Sequence, residues 1–342
     1  MEPLVSILIP AYNAQAWIAD TIRSALAQTW SRKEIIIADD GSRDKTMAVA
    51  QEFSSKTVAV VSQPNQGAAS ARNKAFSLCQ GDYIQWLDAD DLLSPDKVAM
   101  QMDVAQRSQD KRLLLSSGWG KFAYRTSRAD FSPTSLWCDL SPLEWLLTKM
   151  SQNLHMQPAT WLVSRELTQA AGPWDVRLSL DDDGEYFCRV LLASGGTRFV
   201  TEGKTYYRTS GFSSLSMVDG SQKKLQSQLL SMQLHVKYLR SLEESERVRA
   251  TCLTYLKTWF PYFYPESPEL VGQIQDLAGT LGARLDPPRL SWKYAWIKTV
   301  FGWTAAKRSQ LFYNRCKSAV LRRWDRVGLR LQGRLTAGPD LA

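Results

Sequence analysis

Residues 81–91 read GDYIQWLDADD: an apolar run from Tyr83 to Leu87 that stops abruptly at three carboxylates, Asp88, Asp90 and Asp91. A short buried run ending in acids reads as a strand that delivers polar groups at its C-terminal end. The same pattern precedes it. VSILIP (5–10) runs into Tyr12 and Asn13, and Ile35 to Ala38 ends in Asp39, Asp40 and Gly41, while Thr57 to Val61 is followed by the turn Asn65-Gln66-Gly67. Helical stretches fill the gaps: Trp17, Ile18, Ile22, Ala25 and Leu26 share one face, Ser42 or Asp44 can cap a helix to about Phe53, Ala68 to Leu78 forms a third, and Ser94-Pro95 opens a fourth. Strands alternating with helices at this spacing predict an α/β fold, a mostly parallel sheet sandwiched by crossover helices.

Open parallel sheets bind ligands at the carboxyl ends of their strands, where Tyr12, Asn13, Asp39, Asp40, Asp88, Asp90 and Asp91 collect. Neither GxGxxG after the first strand nor GxxxxGK[ST] anywhere is present, which removes the main support for dinucleotide-binding and Walker-type readings.

The composition fits a globular chain: 342 residues, 44% hydrophobic and 22% charged. No apolar run approaches the roughly 18 residues of a spanning helix, and residues 1–10 lack the zones of a signal peptide, so a cytoplasmic location is expected. Five scattered cysteines without a CxxC pair fit reduced thiols, and two histidines make a histidine metal site or triad a poor expectation. Charge is uneven: residues 281–342 hold 13 Lys and Arg against 3 Asp and Glu, leaving 29 against 31 for the rest. Phe312, Cys316, Val320, Trp324, Val327, Leu331 and Leu335 form one helical stripe within 311–335, ringed by arginines. That pattern suits an anionic membrane surface, placing the chain peripherally on the inner face of the cytoplasmic membrane, or equally a basic helix packed on protein. Nucleic acid is not expected, since no recognised module accompanies the charge. Three parts follow: 1–220 as the sheet domain, 221–286 as a helical extension, and 287–342 as a basic, Trp-rich region beginning at Pro287-Pro288.

On an extended backbone Asp88 and Asp90 project to one side and offer hard oxygen ligands for Mg²⁺ or Mn²⁺. A divalent ion there would stabilise the charge that builds on a departing diphosphate. Taken alone, a DxD reads better as a capped loop; its context decides otherwise. VSILIPAYNAQAWIADTIRSALAQT (5–29), EIIIADDGSRDKT (34–46), QPNQGAASARNKA (63–75) and GDYIQWLDADD, in this order and spacing, resemble a family 2 glycosyltransferase with the GT-A fold. The resemblance covers about residues 3–215. It implies transfer of a sugar from a nucleotide-sugar, a UDP-sugar first among donors, to an acceptor hydroxyl with inversion, using Mn²⁺ or Mg²⁺ held by the DxD. The acceptor would be a glycan or a lipid-linked molecule in polysaccharide, glycolipid or cell-envelope glycan synthesis.

Carried over by position, the resemblance puts Pro10, Ala11, Tyr12 and Asn13 around base and ribose, with Asp39 or Asp40 hydrogen-bonding the base edge. Arg72 approaches the nucleotide, Asp88 and Ala89 face the ribose or metal, and Asp90 is the metal ligand. An inverting transfer also needs a carboxylate to take the acceptor proton. LSLDDDGEYFCRVLLASG (178–195) resembles the family's base-bearing stretch, and aligning Glu185 and Arg189 selects Asp182 and Asp183, with Asp183 as the base and the register within Asp181–Asp183 open by one. GPWD (172–175) suggests Trp174 as an acceptor-side platform, and YYRTSGFSSLS (206–216) suggests Arg208 toward the diphosphate. The Gln-x-x-Arg-Trp motif of processive synthases is absent, which favours single addition. Two rivals remain: a sugar-phosphate nucleotidyltransferase, which would need no base at Asp183, and a non-catalytic membrane-associated binding protein.

Overall fold

In the computed structural model, which describes residues 2–108, 110–209, 221–288, 297, 299–305, 309 and 323, the strand ends anticipated above line up on one edge of a sheet. Strands β1 (Val5–Ala11), β2 (Lys33–Asp39), β3 (Val58–Ser62) and β4 (Tyr83–Trp86) run parallel in the order β3-β2-β1-β4. Ile7 pairs with Ile35 and Ala11 with Asp39, so β1 and β2 finish level.

Every residue of β1 is buried because helices cover both faces. Val5, Ile7 and Ile9 pack with Ile18, Ile22 and Ala25 of α1 (Ile18–Leu26), while Leu8 and Ile36 face the other way into a core with Ala71 and Ala75. Leu26, expected on the buried face, is exposed; that face ends at Ala25. Helices α2 (Thr46–Gln51) and α3 (Ala68–Leu78) follow β2 and precede β4 respectively.

A second sheet was not foreseen. Strand β5 (Leu92–Leu93) leads to α4 (Lys97–Ser108) and β6 (Leu113–Phe122); β7 (Val163–Ser164) is an antiparallel edge on β4; and β8 (Gly196–Arg208) lies between β5 and β6. A bulge shifts the β6–β8 register from Ser117↔Val200 to Gly118↔Lys204 and brings Arg208 level with Phe122.

Helices α5 (Pro142–Gln152), α6 (Arg165–Ala171), α7 (Asp182–Ala193), α8 (Gln222–Leu242), α9 (Glu246–Phe263) and α10 (Pro268–Thr280) complete the described fold. Serines cap several of them: Ser141, Ser164 and Ser245 accept from the amides of Glu144, Leu167 and Val248. Pro261 sits near the end of α9, which continues to Phe263. The stripe Leu225, Leu229, Met232, Val236 and Leu239 on α8 is buried. It joins one continuous core that runs from Leu8 and Trp86 through Trp161 and Phe187 to Ile274 and Leu285. No helix of the described residues is long and apolar enough to cross a membrane. The amphipathic stretch 311–335, most of the 287–342 region and residues 210–220 lie outside the described residues.

Candidate active site

Just past the end of β1, Tyr12 is 46% exposed, one residue beyond the Ala11–Asp39 pair, while Pro10 and Ala11 are buried. Asn13 takes a left-handed backbone (φ 48°) and is spent on the next loop: its Oδ1 accepts from the Arg43 amide at 2.9 Å and its own amide donates to Ser42 Oγ at 3.0 Å.

The two aspartates after β2 divide their work. Asp40 accepts from the amides of Gln66 (2.9 Å) and Gly67 (2.8 Å) and from the side chains of Gln63 (2.7 Å) and Asn65 (3.0 Å), fixing the loop that enters α3. Asp39 is equally buried, yet only its Oδ2 is engaged, by the Ser42 amide and Ser62 Oγ; its Oδ1 has no protein partner. A buried carboxylate oxygen without a donor is costly unless a ligand supplies one. Of the pair left open by the sequence, Asp39 is the one available to a base N–H.

Arg72, on α3, is the junction of the site. Its Nη2 meets Asp88 Oδ1 at 2.8 Å and its Nη1 meets Asp182 Oδ2 at 2.6 Å, tying the DxD loop to the start of α7. Burial alone would depress the guanidinium, but the carboxylates of Asp182 and Asp88 more than offset this and hold it charged. Its plane stacks 4.3 Å over the ring of Trp174.

Trp174 corrects an expectation. The indole is 2% exposed, stacked at 4.0 Å on Tyr186 and edge-on to Trp86 at 5.2 Å, with its backbone pinned by Asn73 through bonds of 2.8 and 2.9 Å. No face is open to a sugar; Trp174 is the floor under Arg72. Arg208 is corrected likewise. It is 4% exposed, held between Trp17 (4.4 Å) and Phe122 (4.5 Å), and its Nε donates to the Asp90 carbonyl at 2.8 Å. Arg208 braces the DxD loop instead of reaching out to a diphosphate.

In that loop Ala89 is buried, and its carbonyl, like that of Asp91, accepts from Thr21 Oγ1 at 2.9 Å. Asp88 and Asp90 are half-buried at the end of β4. Asp91 is fully buried: one oxygen accepts from the Arg208 amide at 2.8 Å and the other has no partner. Burial first, then Asp90 and Asp88, raise its pKa well above the usual carboxylate range. Among the described residues no three His, Cys, Asp or Glu side chains assemble a metal cage. The donor chemistry nevertheless fits a hard divalent ion, because two partly accessible carboxylates leave positions for water and substrate oxygens.

Asp181, Asp182 and Asp183 stand at the start of α7, with Asp181 in the left-handed region (φ 58°). Burial raises the Asp182 carboxyl, Arg72 pulls it back and Asp88 adds to the rise. For Asp183, burial and then the charges of Asp182 and Asp181 push the pKa up to about 7. Asp182 is thus spent on Arg72, while Asp183 is a carboxylate poised to exchange a proton near neutrality. The structure brings together Arg72, Asp88, Asp182 and Asp183. Sequence reading missed Asn73, Trp86 and Tyr186, which hold that group from behind through Trp174, because packing residues carry no local signature.

Residues 6–117 match the family model described as Glycosyl transferase family 2. An uncharacterized glycosyltransferase of Rickettsia typhi is 38% identical over 193 residues, 56% of this chain and 60% of that protein. Chondroitin synthase of Escherichia coli is 48% identical over 103 residues, 30% of this chain and 15% of that protein. The alignments thus span under two thirds of these relatives' own length. Among solved structures, S. aureus TarS 1-349 in complex with UDP-GlcNAc shares the fold with a TM-score of 0.64 at 15% identity, over 81% of each chain. The mixed, mostly parallel sheet with its helical C-terminal region is therefore the GT-A-like arrangement expected from the sequence. Over residues 6–117 the chain is thus similar to glycosyl transferase family 2, and its fold is the one seen in TarS.

Proposed function

We propose that the protein transfers a sugar from a nucleotide-diphospho-sugar to an acceptor hydroxyl with inversion, in the synthesis of a cell-envelope glycan or glycolipid. The observation that carries this reading is the ion-paired bridge Asp88–Arg72–Asp182, which holds the DxD loop and the base segment in one constellation. The relatives and the UDP-GlcNAc bound to TarS support a nucleotide-sugar donor, a UDP-sugar first.

In this mechanism the base of the donor stacks on Tyr12 and donates its ring N–H to Asp39 Oδ1. Asp90, with Asp88, would hold Mn²⁺ or Mg²⁺, which when bound neutralises charge on the departing diphosphate. Asp183 accepts the acceptor's hydroxyl proton as that oxygen attacks the anomeric carbon opposite the leaving group. Arg72 keeps Asp182 from competing for this role and adds positive charge beside the leaving group. The basic surplus of residues 281–342 extends the reading to a peripheral position on an anionic membrane surface, where a lipid-linked acceptor would reside.

The test is calorimetric binding and turnover of a panel of UDP-, GDP- and dTDP-sugars with Mn²⁺, Mg²⁺ or chelator. One donor class should bind in a metal-dependent manner, with binding weakened by Asp90→Ala and turnover lost in Asp183→Asn. Failure of every donor to bind in any metal would overturn the enzymatic reading. Transfer of a nucleotidyl group by Asp183→Asn at the parent's rate would turn it toward nucleotidyl transfer.

A further inference from the structure

One face of α8 is polar in the middle of an otherwise apolar packing region, and it lies on the segment that carries the base. Ser227 Oγ accepts from the amides of Ser179 and Leu180 and donates to the Leu180 carbonyl, each at 2.9 Å. One turn on, Ser231 Oγ donates to Asp181 Oδ2. Next, His235 Nδ1–H donates to the Ser231 carbonyl at 2.8 Å, and its Nε2 accepts from Lys149 Nζ of α5 at 3.1 Å. At the end of the stripe Tyr238 Oη donates to Glu185 Oε1 at 2.6 Å, and Glu185 also pairs with Arg189. Ser231 and His235 are fully buried and Ser227 nearly so, so these bonds form out of competition with water.

The segment they hold is an unfavourable one. Asp181 occupies the left-handed region, which an L-residue with a side chain enters at a cost, and Gly184 is required beside it because a Cβ there would lie 2.0 Å from Asp181 Oδ1. Such a turn persists only where surrounding contacts over-determine it. We propose that α8 is a positioning element for the base: Ser227, Ser231 and Tyr238 fix the turn at Asp181 and thereby the placement of Asp183 against Arg72 and Asp88. The inference rests on the role of Asp183 given above and adds that the helical extension is part of the catalytic apparatus.

The experiment compares Ser227→Ala and Ser231→Ala with Val236→Ala, which trims the core side of the same helix. In the full-length protein each serine variant should lower kcat by about tenfold or more with donor KM held within about twofold, since a small displacement of a catalytic group is costly in rate. Val236→Ala should lower the Tm while keeping kcat. Parent-like kcat in both serine variants, or an equal loss of kcat in Val236→Ala, would overturn the proposal. Amide hydrogen exchange separates this from the functional reading: even if the parent turns over no donor, Ser227→Ala should speed exchange at Ser179 and Leu180 by about tenfold, the loss of one hydrogen bond. Unchanged exchange there would overturn the clasp itself.

Discussion

Three aspartates of this chain are distinguished by what surrounds them, and each carries a different expectation. Asp183 has its pKa raised to about 7, so its ionised, proton-accepting form is populated only as pH rises through neutrality. The kcat profile should climb through pH 7 and flatten above it, and Asp183→Asn should cost about 10²–10⁴ in kcat with donor affinity little changed. The raised value also has a stability consequence. The folded state holds this proton more tightly than the unfolded chain, so stability is fully present below the unfolded pKa of about 4 and is lost as pH rises through about 7. Asp183→Asn should therefore raise the Tm at pH 8 and lose that advantage toward pH 4; a constant difference across the range would show that the carboxylate is not destabilised by burial. Asp39 and Asp40 split the other way. Asp39→Asn, at the residue with an unpartnered oxygen, should weaken nucleotide binding in calorimetry while leaving the Tm within a few degrees. Asp40→Ala strands four donors and should destabilise the fold by about 2–4 kcal/mol in denaturant unfolding.

At the scale of elements, α3 and α7 meet through Arg72, and the aromatic floor beneath it sets how firmly. Trp174→Ala would open a cavity against Tyr186 and Trp86 and should cost about 3–5 kcal/mol of stability in denaturant unfolding. Trp174→Phe keeps a ring under Arg72 and should cost less, which a merely exposed platform would not predict. These elements also mark where the sequence was readable. The four parallel strands of the first sheet were legible because each is an apolar run stopped by polar residues, a pattern set by local burial. β6 was not: LLLSSGWGKF interrupts its run with Gly118 and Gly120, whose missing side chains make room for the rings of Trp137 and Phe131, partners that only the folded chain reveals. Trp174 was ambiguous for the same reason. Whether an indole is a floor or a platform depends on Tyr186, twelve residues on, and not on its neighbours in GPWD. The base segment was legible as a cluster of acids. The division of labour within it depends on Arg72, more than a hundred residues earlier in the chain.

For the molecule as a whole, two features set physical expectations: a shared core and a lopsided charge. Because Met232, Leu256 and Ile274 belong to the same core as Trp86 and Phe187, the helical extension and the sheet should unfold together, giving coincident denaturant transitions by far-UV circular dichroism and Trp fluorescence. Two separated transitions would mean that α8–α10 form an independent unit. The charge leads elsewhere. Residues 281–342 carry a surplus of ten positive charges while the remainder is slightly acidic, so electrostatics alone would turn the C-terminal region toward an anionic surface. Next to this charge, Val300 and Phe301 are 66% and 67% exposed on a short helical stretch whose Trp303 packs edge-on to Tyr264 at 5.5 Å. Apolar side chains anchored to the body within a basic region are what an interfacial membrane contact requires, each basic group near the surface adding about 1 kcal/mol. The full chain should therefore co-sediment with phosphatidylglycerol-containing vesicles and not with pure phosphatidylcholine. Phe301→Ser should weaken this contact, and raising the salt should weaken it further as the surface charge is screened. Equal binding to both vesicle types at any salt would sink the electrostatic part of the reading and leave the basic region to pack on protein.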